Sequence, residues 1–158
     1  MELRAEPYGS ALVRPLTDAL ADELLERYGE VGPGGEPNPQ VFAPPDGHFV
    51  VALEDERAVA CGGLVRYDDR EGEIRRMYVA PSARGSGLGR KVLAALEDAA
   101  RLRGYEWLRL ETGDHQPEAL GLYASAGFEP MPSYGPYVND PHSICLQKRI
   151  APGGVPVE

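Results

Sequence analysis

Apolar residues recur along the chain with two different periods. Leu20, Leu24 and Tyr28 stand four apart, and Leu88, Val92, Leu96 and Ala99 or Ala100 stand three to four apart. That spacing lines one face of a helix. Thr17 or Asp18 offers a cap for the first helix and Gly29 a stop; Gly104 ends the second, with Leu102 extending its apolar face. Short apolar runs between turn residues predict strands at Ser10–Leu16, His48–Glu54, Ala58–Tyr67, Glu73–Ala80, Trp107–Thr112, Phe128–Met131 and Ile144–Ile150. The turn Asp55-Glu56-Arg57 joins the second and third of these, and Gly62-Gly63 marks a bulge or a close backbone approach. Pro117 suits the first turn of a shorter helix carrying Leu120 and Tyr123 and closed by Gly127. Residues 30–47 hold five prolines and no helical period, so they are read as a long loop of the kind that covers a site. Residues 1–9 are expected to fray and 151–158 to form a loose tail, around a single domain over 10–150. The element order gives one mixed α/β sheet, antiparallel at first and then closed through a right-handed parallel β-α-β unit.

A length of 158 residues fits one core. No apolar run reaches the roughly 18 residues of a membrane span, and Met1-Glu2-Leu3-Arg4 has no leader character. With only Cys61 and Cys145, both in apolar runs, a disulfide framework is not expected, and the reading is a cytoplasmic protein. The formal charge of −9 speaks against nucleic acid as a partner. Between Glu73 and Glu97, however, there is no acid, while Arg75, Arg76, Arg84, Arg90 and Lys91 supply +5. A basic island holding the densest glycine pattern points to a small polyanionic ligand.

That pattern is Val79-Ala80-Pro81-Ser82-Ala83-Arg84-Gly85-Ser86-Gly87-Leu88-Gly89-Arg90, between a strand and a helix. Glycines there let backbone N–H groups converge, and the helix start points at the same place, as a phosphate requires. A P-loop needs Lys followed by Ser or Thr, whereas Gly89 precedes Arg90-Lys91-Val92. The dinucleotide fingerprint G-x-G-x-x-G fails at Arg90. His48, His115 and His142 show no metal-ligand spacing with either cysteine, and no metal is expected. Cys145 with His142 has no signature of a nucleophile pair, and both cysteines read as core.

Arg84-x-x-Gly87-x-Gly89 resembles the coenzyme A pyrophosphate loop of the GNAT acetyltransferase superfamily, Q/R-x-x-G-x-G/A. An acid eleven residues before Arg84, and Leu122-Tyr123-Ala124-Ser125-Ala126-Gly127-Phe128 downstream, are similar to the family's flanking features. The resemblance covers about residues 48–150. It implies the GNAT-type acyl-CoA N-acyltransferase fold, with the sheet splayed between the Glu73–Ala80 and Trp107–Thr112 strands. It also implies acetyl-CoA as co-substrate, held through its pantetheine arm by the backbone of Met77, Tyr78 and Val79. Its pyrophosphate would be cradled by Arg84, Gly85, Ser86, Gly87, Leu88, Gly89 and Arg90. Gln116 stands where the family often has a pantetheine-binding Asn. Glu73 takes the general-base position with Glu111 as its rival, and Tyr123 that of the acid that protonates the leaving sulfur. Glu73 also reads as a strand-end partner of Arg75 or Arg66, and Tyr123 also as a core aromatic. Arg75, Tyr134, Tyr137 and Ser143 are expected near the acceptor.

The implied activity is acetylation of a small-molecule amine by direct attack in a ternary complex. A peptide or protein amine, or a non-catalytic acyl-CoA sensor on the same fold, are the alternatives. Family members often form homodimers, and the sequence specifies no interface.

Overall fold

The computed structural model describes residues 1–30, 32 and 36–150. One seven-stranded sheet runs in the order β1(Glu2–Ala5)-β2(His48–Glu54)-β3(Arg57–Arg66)-β4(Glu71–Val79)-β5(Trp107–Gly113)-β7(Ser143–Arg149)-β6(Glu129–Pro130). Among the described residues three α-helices, α1(Arg14–Tyr28), α2(Leu88–Leu102) and α3(Pro117–Ser125), complete it. All neighbouring strands are antiparallel except β4 and β5, the pair joined through α2. Among the described residues no helix is long and apolar enough to cross a membrane.

The start of the chain departs from the sequence reading. Ser10–Leu16 is not a strand: Val13, Leu16 and Leu20 are buried at helical spacing, and Pro15 sits in the first turn of α1, where its missing N–H costs nothing. The helix therefore begins three residues before Thr17. Nor does 1–9 fray. Glu2–Ala5 pairs with Val50–Leu53, Glu6 N donates to Phe49 O at 3.0 Å, and Tyr8 is buried with its ring 4.6 Å from that of Phe42. All four residues of this short edge strand are exposed, so no buried face marks it in the sequence. The expected tail at 151–158 lies outside the described residues, as do 31 and 33–35 of the long loop. Within the rest of that loop Pro39–Phe42 forms one 3-10 turn, capped by Asn38 and anchored by buried Phe42.

Elsewhere the elements follow the periodicity to within two or three residues. Asp55 and Glu56, both in the left-handed region at φ 50° and 64°, make the β2–β3 turn, so Arg57 already belongs to β3. Two cores flank the sheet. Leu64, Leu93, Leu96 and Leu108 pack under α2, while Val13, Leu20, Phe49 and Val51 pack under α1. The glycine pair in β3 serves both: a Cβ on Gly62 would meet Leu96 and Val92 of α2 at 2.9 Å, and one on Gly63 would enter the ring of Phe42.

The feature that shapes the site lies in β4. Arg75 pairs with Gly63 and Tyr78 with Cys61, so Arg76 and Met77 together oppose Gly62. Arg76 takes φ 60°, a left-handed conformation that costs a non-glycine residue about 1–3 kcal/mol. This bulge bends the strand. Pairing of β4 with β5 spans only Glu71–Ile74 against Trp107–Leu110, after which the strands part and Glu111–Gly113 pairs with β7 alone.

The fully buried Leu96 is central to the α2 core. Leu96→Ala should lower unfolding free energy by about 2–5 kcal/mol, read from the urea midpoint at unchanged m-value.

Candidate active site

Where β4 and β5 part, a cavity of about 820 Å³ opens, floored by the two strands and walled by α1, α3 and the segment before β7. Glu73, Arg75 and Met77 enter it from β4, Glu111 from β5, Gln116 and Tyr123 from the α3 region, and Tyr137 from the opposite wall. The bulge thus brings together residues 50 positions apart in sequence. Six carboxylates line the space, Asp22, Glu30, Glu36, Glu73, Glu111 and Asp140, against the guanidinium groups of Arg75 and Arg76.

Each of the two candidate bases has its own hydroxyl partner. Tyr134 Oη donates to Glu73 Oε2 at 2.7 Å, and Ser143 Oγ donates to Glu111 Oε2 at 2.7 Å. Neither Tyr134 nor Ser143 lines the cavity; each bonds a carboxylate that does. Tyr134 is itself fixed, with Arg109 4.6 Å from its ring centroid and paired to Glu71 at 2.8 Å. Glu73 is not paired with Arg75 or Arg66 by any short contact, and Arg66 pairs instead with Asp69. Burial raises the Glu111 carboxyl above the ordinary carboxylate range, partly offset by the Ser143 hydrogen bond. The Tyr123 phenol is 5% exposed and packs edge-on to Phe128. Burial, and then the charge of Glu111, push its pKa up, so the proton stays on the oxygen at neutral pH.

The glycine loop lies beside α3, outside the cavity lining. Gly85 and Gly87 take φ 83° and 82°, and added Cβ atoms there would meet nothing within 4 Å. Gly87 is the N-cap of α2 with no side-chain cap, so the N–H groups of Leu88, Gly89 and Arg90 face outward with the helix dipole. Gly89 is small because Leu122 and Val79 close in on it, at 3.3 and 3.5 Å from a hypothetical Cβ. Ser86 Oγ donates to Ala83 O. The fit to a diphosphate is thus one of main chain.

Side chains of this segment are otherwise engaged. Arg84 turns away, Nε donating to Val79 O at 3.0 Å and Nη2 to both oxygens of Glu23 at 3.0 and 2.8 Å. Arg90 reaches Ser125, Leu88 is buried in the α2 core, and Tyr78 is buried on the α1 side of the sheet near Arg84. Gln116 folds its amide oxygen back to accept from Thr112 Oγ1 and Gly113 N at 3.2 and 3.1 Å. Sequence reasoning missed Tyr28, whose helical spacing reads as core but which lines the cavity, and the bulge at Arg76, whose left-handed backbone has no sequence signal. It also treated His115 and His142 only against the cysteines; the fold brings both to Asp114.

Residues 13–128 match the model of the acetyltransferase (GNAT) family. An IAA acetyltransferase of Azospirillum brasilense is 39% identical over 144 residues, covering 86% of this chain and 94% of its own. The N-alpha-acetyltransferase RimI of Mycobacterium tuberculosis is 32% identical over 122 residues, 72% of this chain and 75% of its own. Among solved structures, a candidate acyl-CoA N-acyltransferase from Klebsiella pneumoniae superposes with TM-score 0.78 at 33% identity, over 94% of this chain and 96% of that one. A GNAT acetyltransferase from Elizabethkingia anophelis with acetyl-CoA bound shares the fold, with TM-score 0.68 at 21% identity over 94% and 97% of the two chains.

The raised Glu111 pKa has a thermodynamic consequence. Where the folded value exceeds the unfolded one, near 4.3, the native state binds the extra proton, so stability falls as pH rises through that window. Glu111→Gln removes the penalty and keeps an acceptor for Ser143. Its urea midpoint should gain on the parent's as the pH rises above about 4.3; an unchanged difference would refute the desolvation.

Proposed function

The chain belongs to the GNAT acetyltransferase family and is an N-acetyltransferase; from that premise we propose that it acetylates a small-molecule amine by direct attack on acetyl-CoA in a ternary complex. One observation carries the reading: Glu73, Glu111 and Tyr123, from three separate elements, line a single cavity at the parting of β4 and β5.

Acetyl-CoA supplies the thioester, and the chain supplies position and proton traffic. Main-chain amides from Gly85 to Arg90 fit its diphosphate, and the bulged β4 backbone at Met77–Val79 directs the pantetheine arm into the cleft. Glu73, steadied by Tyr134, accepts the proton that the incoming ammonium must lose. The amine nitrogen bonds to the acetyl carbon as the carbon–sulfur bond breaks, Tyr123 gives its proton to the departing thiolate, and the second proton shed by the acylated nitrogen restores the phenol. A phenol held protonated by burial is suited to that task. Glu111 as the base is a second reading with its own support, because burial moves its carboxyl toward working pH. The excess of carboxylates over guanidinium groups in the cavity favours a cationic acceptor.

Release of free thiol from acetyl-CoA, followed across a panel of small amines, tests this. Acceptor-dependent release is expected; binding of acetyl-CoA with no acceptor-dependent release would identify a sensor, and release with peptide amines alone would move the acceptor class.

Tyr123→Phe should lower kcat by about 100-fold or more while the Kd for coenzyme A stays within about threefold. Loss of coenzyme A affinity would make Tyr123 structural. Of Glu73→Gln and Glu111→Gln, the larger fall in kcat names the base.

A further inference from the structure

At the rim of the cavity, outside the acid–phenol set, two histidines and an aspartate converge from separate loops. Asp114 and His115 follow β5, and His142 precedes β7. His142 Nδ1 lies 3.1 Å from Asp114 Oδ1, His115 Nε2 lies 3.6 Å from the same oxygen, and one ligand atom from each lies within 4.8 Å of the others. We propose that Asp114, His115 and His142 form a binding site for a divalent transition-metal ion of the zinc class.

The spacing is near what such an ion needs. Zinc–nitrogen and zinc–oxygen bonds of about 2.0–2.2 Å in a tetrahedron set ligand atoms about 3.3 Å apart. Two separations already bracket that value, and the third lies within 4.8 Å. Two imidazoles with one carboxylate select zinc, cobalt, nickel or copper over magnesium or calcium, which take oxygen ligands.

A second set of contacts, independent of the cluster, prepares the rings as ligands. His115 Nδ1 lies 3.3 Å from Arg27 O, so a proton on Nδ1 leaves the Nε2 lone pair facing Asp114. The His115 ring stacks on Tyr28 at 5.0 Å and 3°, and the His115 main-chain N–H donates to Tyr28 Oη at 3.0 Å. Asp114 N donates to His142 O at 2.9 Å, locking the two loops side by side. An ion here would tie the end of β5 to the segment before β7, beside the cavity residues Tyr28, Gly113 and His142. Its effect would be to stiffen that wall.

The test uses the full chain without a histidine tag, stripped with chelator and titrated with Co2+ and then Zn2+. The proposal expects one-to-one Co2+ binding with the intense visible absorption of a four-coordinate site, displaced by Zn2+. His115→Ala and His142→Ala should each weaken binding at least about tenfold, and the double variant should abolish it. His48→Ala, on distant β2, should leave it unchanged. Imidazole proton signals of the unaltered chain give a reading that needs no variant: of its 3 histidines, two should shift on Zn2+ addition and His48 should not. No saturable binding, equal binding by the double variant, or shifts in none or all three histidines would overturn the site.

Discussion

A single backbone irregularity governs the geometry of this protein. Two residues of β4, Arg76 and Met77, oppose one residue of β3, and the left-handed conformation at Arg76 turns the strand away from β5 after only four paired positions. Without that divergence β4 and β5 would continue as an ordinary parallel pair, and the space holding Glu73, Glu111 and Tyr123 would be filled by hydrogen bonds between strands. The strain is small beside the burial on both faces of the sheet, where each large apolar side chain contributes about 1.5–3 kcal/mol. Gly62, opposite the bulge, has no side chain because α2 presses against it, so the bulge and the helix are fixed by the same contact.

The chemistry divides between main chain and side chains. On the proposed reading anion recognition falls to backbone amides at the start of α2, since the charged groups of that segment are occupied: Arg84 by Glu23 and Arg90 by Ser125. On the same proposal proton transfer falls to side chains in the cavity, where burial acts on both Tyr123 and Glu111. It keeps Tyr123 a phenol and disfavours ionisation of Glu111. Tyr134 and Ser143 each bond one of the cavity's carboxylates.

Helix α2, the β2–β3 hairpin and the parallel β4–β5 pair were legible in the sequence because each has a strong local pattern: helical period, a turn flanked by apolar runs, glycine loop. The glycine loop and the Leu122–Phe128 segment were equally clear. What escaped detection depends on tertiary contacts. Glu2–Ala5 is a strand only because β2 offers it an edge, and Ser10–Leu16 mimics a strand until Pro15 and the i, i+3, i+7 burial of Val13, Leu16 and Leu20 are seen together. Residues 31, 33–35 and 151–158 lie beyond what the structure describes. The bonds from Tyr134 to Glu73 and from His142 to Asp114 join positions 61 and 28 residues apart, which no spacing rule reaches.

The most direct test of the account is a crystal structure with coenzyme A bound. Diphosphate oxygens should accept hydrogen bonds from main-chain amides between Gly85 and Arg90, with the sulfur lying between the parted strands beside the Tyr123 hydroxyl. A diphosphate bound elsewhere, or a sulfur outside the cavity, would contradict it.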